Sequence, residues 1–117
     1  RSSGTDMRWL AVGVVSVLPT ATGAEIDVSR PAECLLVVEG QELIRGRCSF
    51  TPIDANGSFI LSGLNGKYFA YVMVDQPGQA EGYWNGEPYA GHAHAPLGPL
   101  SREDACWVSD TASVCAW

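Results

Sequence analysis

The sequence predicts an all-β domain, a small antiparallel barrel or sandwich of about six to seven short strands carrying two hairpin disulfides. Three observations predict it. Strand-like runs recur about every eight to twelve residues, and no long helical periodicity appears. Four cysteines stand in two pairs, each pair on either side of a turn signal. Turn residues such as Asn56-Gly57 and Leu64-Asn65-Gly66 punctuate the runs.

Taken in order, residues 1–6 (RSSGTD) are expected to be an expression remnant, because Met7 follows them. Residues 7–24 read as a secretory signal peptide. Met7-Arg8 gives a basic start, residues 9–18 (WLAVGVVSVL) an uncharged apolar run, and residues 19–24 (PTATGA) a small-residue end. The apolar run is too short to span a bilayer as a helix, which takes roughly 20 residues. The alternative for this segment is a buried strand. Residues 25–117 form the single β domain, placed by the leader in the periplasm or outside the cell.

Within that domain, residues 34–38 and 43–48 flank the turn signal Gly40-Gln41, and folding about Gln41 sets Cys34 opposite Cys48. Residues 106–108 and 113–115 flank SDTA in the same way and set Cys106 opposite Cys115. Cross-strand neighbours come near enough to bridge, so the expected disulfides are Cys34–Cys48 and Cys106–Cys115. Zinc is the competing use of four cysteines. It lacks any C-x-x-C knuckle here, and an oxidising compartment disfavours free thiols.

Ile44, Gly46, Cys48 and Phe50 alternate with polar residues as in a half-buried strand. Asn56-Gly57 suits a type I′ hairpin into residues 58–62. Residues 67–74 (KYFAYVMV) are apolar on both faces, which predicts a central strand. Residues 80–85 form another strand, and Ser101–Asp104 has the capping-box spacing of a single helical turn.

Residues 25–117 hold five basic and twelve acidic side chains, a net charge of −7. Nucleic acid is not an expected partner, because phosphate binding needs clustered Lys and Arg. A cationic protein is, through steering and complementary potential. The plainer reading is that excess charge keeps a secreted protein soluble.

Residues 85–100 (NGEPYAGHAHAPLGPL) read as a sixteen-residue loop presenting Trp84, Tyr89, His92 and His94. Long loops in compact domains tend to carry function. The loop either offers a binding edge of rigid aromatics or caps one barrel end. His92 and His94 have H-x-H spacing, which on an extended segment aims both rings one way. The third ligand would have to be Glu87 or a distant carboxylate, so no metal site or cofactor is expected and His serves as a loop anchor. Asp54-Ala55-Asn56-Gly57 begins like a calcium loop but lacks the later ligands. No G-x-S-x-G elbow or acid pair stands out, and no catalytic residues are assigned.

The runs 68–72 (YFAYV), 80–86 (AEGYWNG), His92-Ala93-His94, Leu97-Gly98, Ala105-Cys106-Trp107 and 114–117 (VCAW) resemble small exported proteins of Gram-negative bacteria, most with no assigned activity. The likeness covers about residues 34–117. A looser resemblance is to the periplasmic lysozyme inhibitors, small disulfide-bonded β-barrels that block the cleft of a basic lysozyme. Their Ser-Gly-x-x-Tyr motif is matched by Ser62 and Gly63, with Tyr68 two positions beyond the motif's Tyr and Trp84 farther downstream. That resemblance implies a partner-binding set of Ser62, Gly63, Tyr68 and Trp84, to which the loop adds Tyr89, His92 and His94. The expected function is a secreted, non-enzymatic binding protein, an inhibitor of a basic hydrolase such as lysozyme. The alternatives are a cell-envelope or carbohydrate-binding module using the aromatic loop, and a structural domain with no small ligand.

Overall fold

Alternating side chains wind the chain into a closed wall. The computed structural model describes residues 25–117. Its strands are β1 (Arg30–Val38), β2 (Gln41–Pro52), β3 (Phe59–Gly63), β4 (Phe69–Gln76), β5 (Gln79–Trp84), β6 (Ala95–Glu103), β7 (Cys106–Val108) and β8 (Ala112–Ala116). Each pairs antiparallel with the next, and β8 returns to β1 from Cys34↔Ala116 to Val38↔Ala112. Closure gives every strand a partner on both sides over at least part of its length. The expected fold class is met as a barrel, but with eight strands rather than six or seven. The expression remnant and signal peptide expected over residues 1–24 lie outside the described residues. Among the described residues, no helix is long and apolar enough to cross a membrane.

The additional strand is β6, which begins inside the segment 85–100 expected to be loop throughout and runs on to Glu103. Its prolines hide it from sequence. β7 pairs with β6 only from Ser101 to Glu103, so residues 95–100 carry a ladder on the β5 side alone. Pro96 and Pro99 sit in that one-sided stretch, where a missing N–H is tolerated. Gly82 faces Gly98 and Tyr83 faces Pro96, which leaves Leu97 as the extra residue of a bulge. Ser101–Glu103 ends this strand instead of opening a helical turn.

Both disulfides form as expected, Cys34–Cys48 and Cys106–Cys115. Two disulfides are compatible with an oxidising, secreted or periplasmic setting. Cys106 does stand opposite Cys115. Cys34, however, faces Gly46, and Cys48 faces Ala32, so that bridge runs diagonally between two inward-facing positions. The turn lies at Glu39-Gly40 rather than at Gln41, with both residues at positive φ (51° and 80°) as a type I′ hairpin requires. A bulge between Leu36 and Val37 shifts the register further.

Asn56-Gly57 does not make the two-residue hairpin expected of it. Pro52 faces Phe59 across a six-residue loop, 53–58. The Asp54 carboxylate organises that loop by accepting from the N–H groups of Asn56 (2.8 Å) and Ser58 (3.1 Å). The buried Ser58 hydroxyl accepts the Val74 N–H at 2.8 Å and ties the loop to β4.

Inward-facing Leu36, Leu61, Val72 and Val114 are fully buried at the centre, with Ile44, Phe59, Leu97, Leu100 and Trp107 around them. β4 is not a central strand, since a closed barrel has none. It buries Ala70 and Val72 inward and leaves Phe69, Tyr71 and Met73 on the outer wall. There Tyr71 lies between Ile60 and Tyr83 in register.

Candidate partner-binding site

Antiparallel winding sorts the connections to two ends. The turns at 39–40, 64–68 and 109–111 and the loop 85–94 gather at one, the loop end. The loop 53–58, the turns 77–78 and 104–105, and Trp117 gather at the other, the mouth. Every residue expected in the partner-binding set, Ser62, Gly63, Tyr68, Trp84, Tyr89, His92 and His94, falls at the loop end.

Asn85 holds this end together. It is fully buried, and a buried amide must find partners for both its oxygen and its nitrogen. Its Oδ1 accepts from the Phe69 N–H at 3.1 Å. Its Nδ2 donates to the carbonyls of Lys67 (3.0 Å), Glu87 (3.0 Å) and Ala90 (3.3 Å). One side chain therefore fastens the 85–94 loop to the β3–β4 turn, and the Tyr89 N–H adds a bond to the Lys67 carbonyl at 2.9 Å. The turn itself is closed by the Gly63 N–H on the Tyr68 carbonyl (3.0 Å) and by Asn65 Oδ1 accepting from the Lys67 N–H (2.9 Å).

Tyr68 and Trp84, their ring centroids 6.1 Å apart, pack against the core and close this end of the barrel. Ser62 and Gly63 are half-buried at the end of β3. The exposed apolar surface belongs instead to Leu64 and Tyr89, each 69% exposed. Tyr89 adopts a positive φ of 67°, a conformation costly for a bulky residue unless its surroundings hold it. The Asn85 network supplies that hold.

His92 and His94 are exposed. His94 Nδ1 lies 3.0 Å from the His92 carbonyl, and its Nε2 lies so close to Gly86 that a Cβ there would sit at 2.9 Å. The second imidazole is thus engaged with the loop backbone. Among the described residues, no group of three or more His, Cys, Asp or Glu is placed to hold a metal ion.

Glu39, Glu87 and Asp110 are exposed in the turns of this end, with Lys67 among the nearby cations and Arg45 and Arg47 lining the hollow beside Leu64. Glu42 is engaged by Arg45, whose guanidinium hydrogen bond holds the carboxyl below its ordinary range and raises the guanidinium. Both members of that pair are solvated, so it adds little to stability. The residues that sequence reasoning missed are Asn85, as the fastener, and Leu64, as an exposed tip. Asn85-Gly86 is a third Asn-Gly, after 56–57 and 65–66, and its turn chemistry was the available signal.

Comparison of the chain with protein-family models, with characterised proteins and with solved structures gives no match.

Proposed function

We propose that this is a secreted or periplasmic, non-enzymatic binding protein that docks its loop end on a basic protein, with the cleft of a lysozyme-like hydrolase as the fitting partner. The observation that carries the reading is the pair of loops locked by Asn85, which projects Leu64 and Tyr89 from a closed barrel end. A preorganised apolar tip loses little entropy on binding, and this gain is greatest for a rigid aromatic anchor. The acidic groups around the tip would steer a cationic partner and match its potential.

Titration of the protein into lysis assays with c-, g- and i-type lysozymes, at low and physiological salt, tests this directly. The expected result is stoichiometric inhibition of one class, weakened by salt. Tyr89→Ala should weaken it by about 2 kcal/mol, the scale of an interface hot spot. Inhibition of no class, or a Tyr89→Ala variant as potent as the parent, removes the proposal.

A second reading is carbohydrate binding. It is favoured by the outer wall, where Phe69, Tyr71 and Tyr83 present aromatic rings beside one another. Sugar stacking should be nearly indifferent to ionic strength, which separates it from docking on a basic protein.

A further inference from the structure

The mouth of the barrel, opposite the loop end, holds a cavity of about 290 Å³. Its wall includes Phe50, Phe59, Trp107 and Trp117, and its rim Arg30 and Arg102. Both arginines occupy inward-facing strand positions. Arg30 lies two residues from buried Ala32, and Arg102 two residues from buried Leu100. Inward positions of a barrel ordinarily carry apolar side chains. Here two cations stand there instead, in a domain with a net charge of −7.

Each guanidinium lies over the aromatic ring of its cross-strand partner. Arg30 stands 4.7 Å from the Phe50 centroid, and Arg102 stands 5.5 Å from that of Trp107. Arg102 is further fixed by its Nε donating to the Asp104 carbonyl at 2.7 Å, which leaves its terminal nitrogens to other acceptors. Arg45 and Arg47 are bonded to Glu42 and Glu33. Among the described residues, Arg30 and Arg102 meet aromatic rings and a carbonyl but no carboxylate. A guanidinium stacked on a ring keeps its edge N–H groups free, and those edges recognise planar carboxylates.

Trp117 supplies a second indication. Its backbone is fixed by mutual bonds with Glu33 (2.8 and 3.3 Å), yet the residue is 65% exposed beside the cavity. A large aromatic held in place at a cavity lip is a stacking surface. Phe50 and Phe59 stack at 4.9 Å elsewhere on the wall.

We propose that the barrel mouth binds a small organic monoanion, a carboxylate carried on a flat apolar body. The carboxylate would meet the free edges of Arg30 and Arg102, and the apolar body would lie among the aromatic rings. The cavity size suits a compound of one or two rings. The surrounding acidic charge, including Glu103 and Asp104 next to Arg102, disfavours a dianion such as phosphate. This site lies at the end away from Tyr89 and does not rest on the docking proposal.

Calorimetric titration of the full chain with indole-3-acetate, with the neutral indole-3-acetamide, and with inorganic phosphate tests the proposal. The acetate should bind at one site per chain, and the amide roughly tenfold or more weakly, because it loses the charge-assisted bonds. Phosphate should give no binding at the same concentrations. Arg30→Gln, Arg102→Gln and Trp117→Ala should each weaken the acetate by roughly tenfold, while Arg47→Gln should leave it unchanged. Absence of acetate binding, an amide that binds equally well, phosphate binding as tightly as the acetate, or an equal loss in Arg47→Gln would each overturn the assignment. The acetate and amide comparison uses the parent protein, so it decides the matter even if an arginine variant fails to fold.

Discussion

Replacing Asn85 by alanine removes the acceptor of the Phe69 N–H and the donor to three carbonyls. A primary amide has two N–H groups, so one is shared, and about three net hydrogen bonds are lost. At about 1 kcal/mol each they amount to about 3 kcal/mol. Stranding the Phe69 N–H adds a desolvation cost of roughly 1–3 kcal/mol. The expected loss is therefore about 4–6 kcal/mol, a large part of the total stability of a small domain. Urea unfolding measures it as a lowered midpoint at unchanged slope. Native-state hydrogen exchange should show the Phe69 and Tyr89 amides losing protection before those of β1 and β2. A loss below about 1 kcal/mol would refute the claim that Asn85 fastens this end.

Asn85→Asp gives a sharper version of the same test. The carboxylate is nearly isosteric and can still accept from Phe69, but at neutral pH it faces three carbonyl oxygens with nothing to donate. Burial and those oxygens raise its folded pKa above the unfolded value. Its protonated form, which can donate, is therefore the compatible one. Stability is then retained below the unfolded pKa and lost as pH rises through the folded pKa. The variant should be worse than Asn85→Ala at neutral pH and recover relative to the parent on acidification. The same loss at both pH values would mean that shape, and not hydrogen bonding, is what the site requires.

Removing Cys34–Cys48 or Cys106–Cys115 opens loops of 14 and 9 positions, and chain entropy predicts losses of about 3 and about 2.5 kcal/mol respectively, measurable by denaturation of Cys→Ala pairs. Gly82→Ala would place a Cβ 2.6 Å from Leu100 Cδ1 and 3.2 Å from Leu97 Cβ. Overpacking of about 1–3 kcal/mol should lower the thermal midpoint, and an unchanged midpoint would contradict the packing described for β5 and β6. Asp54 has its pKa lowered chiefly by the hydrogen bond from the Ser58 side chain, with backbone N–H groups adding to it. A depressed folded pKa gives stability that is present above the unfolded value and lost as pH falls through the folded one. Asp54→Asn should therefore differ from the parent at neutral pH and converge with it in acid.

What was legible in the sequence, and what was not, follows from how local each signal is. Alternation around Ile44 and Cys48 and the paired cysteines are local patterns, so the β class and both disulfides could be read directly. The diagonal placement of Cys34 and Cys48 depends on a bulge and on a positive φ at Glu39, a residue that gives little warning of a turn. β6 escaped notice because Pro96 and Pro99 mark a central strand as unsuitable, and only the shortness of β7 makes them acceptable. The apolar outer face of β4 pointed to a central strand, whereas the closed wall leaves Phe69, Tyr71 and Met73 partly in solvent. At the loop end, aromatic composition identified the region but not the division of labour. Tyr68 and Trp84 fill the barrel, and Tyr89 projects from it. Arg30 and Arg102 were visible only as charges, since their inward direction is set by a register the sequence did not reveal.

That register would also let one acidic barrel hold the two opposite electrostatic preferences proposed for its ends. β1 runs from Arg30 at the mouth to Val38 beside the loop-end turn. At roughly 3.3 Å per residue it covers about 26 Å, and strand tilt reduces the axial separation to about 20 Å. Physiological salt screens exposed charges over about 8 Å. A cationic partner approaching Glu39, Glu87 and Asp110 would scarcely sense Arg30 and Arg102, and an organic anion at the mouth would scarcely sense the loop-end acids. Lowering the ionic strength to about 0.01 M stretches the screening length to about 30 Å, longer than the barrel, so the two ends should then interact. A bound anion at the mouth would cancel part of the arginine charge and strengthen association of a cation at the loop end. Salt-dependent coupling between the two titrations, present at low ionic strength and gone at physiological salt, is the consequence to look for. Coupling that persists at high salt would mean the barrel transmits a conformational change between its ends, which two disulfides and a closed wall argue against.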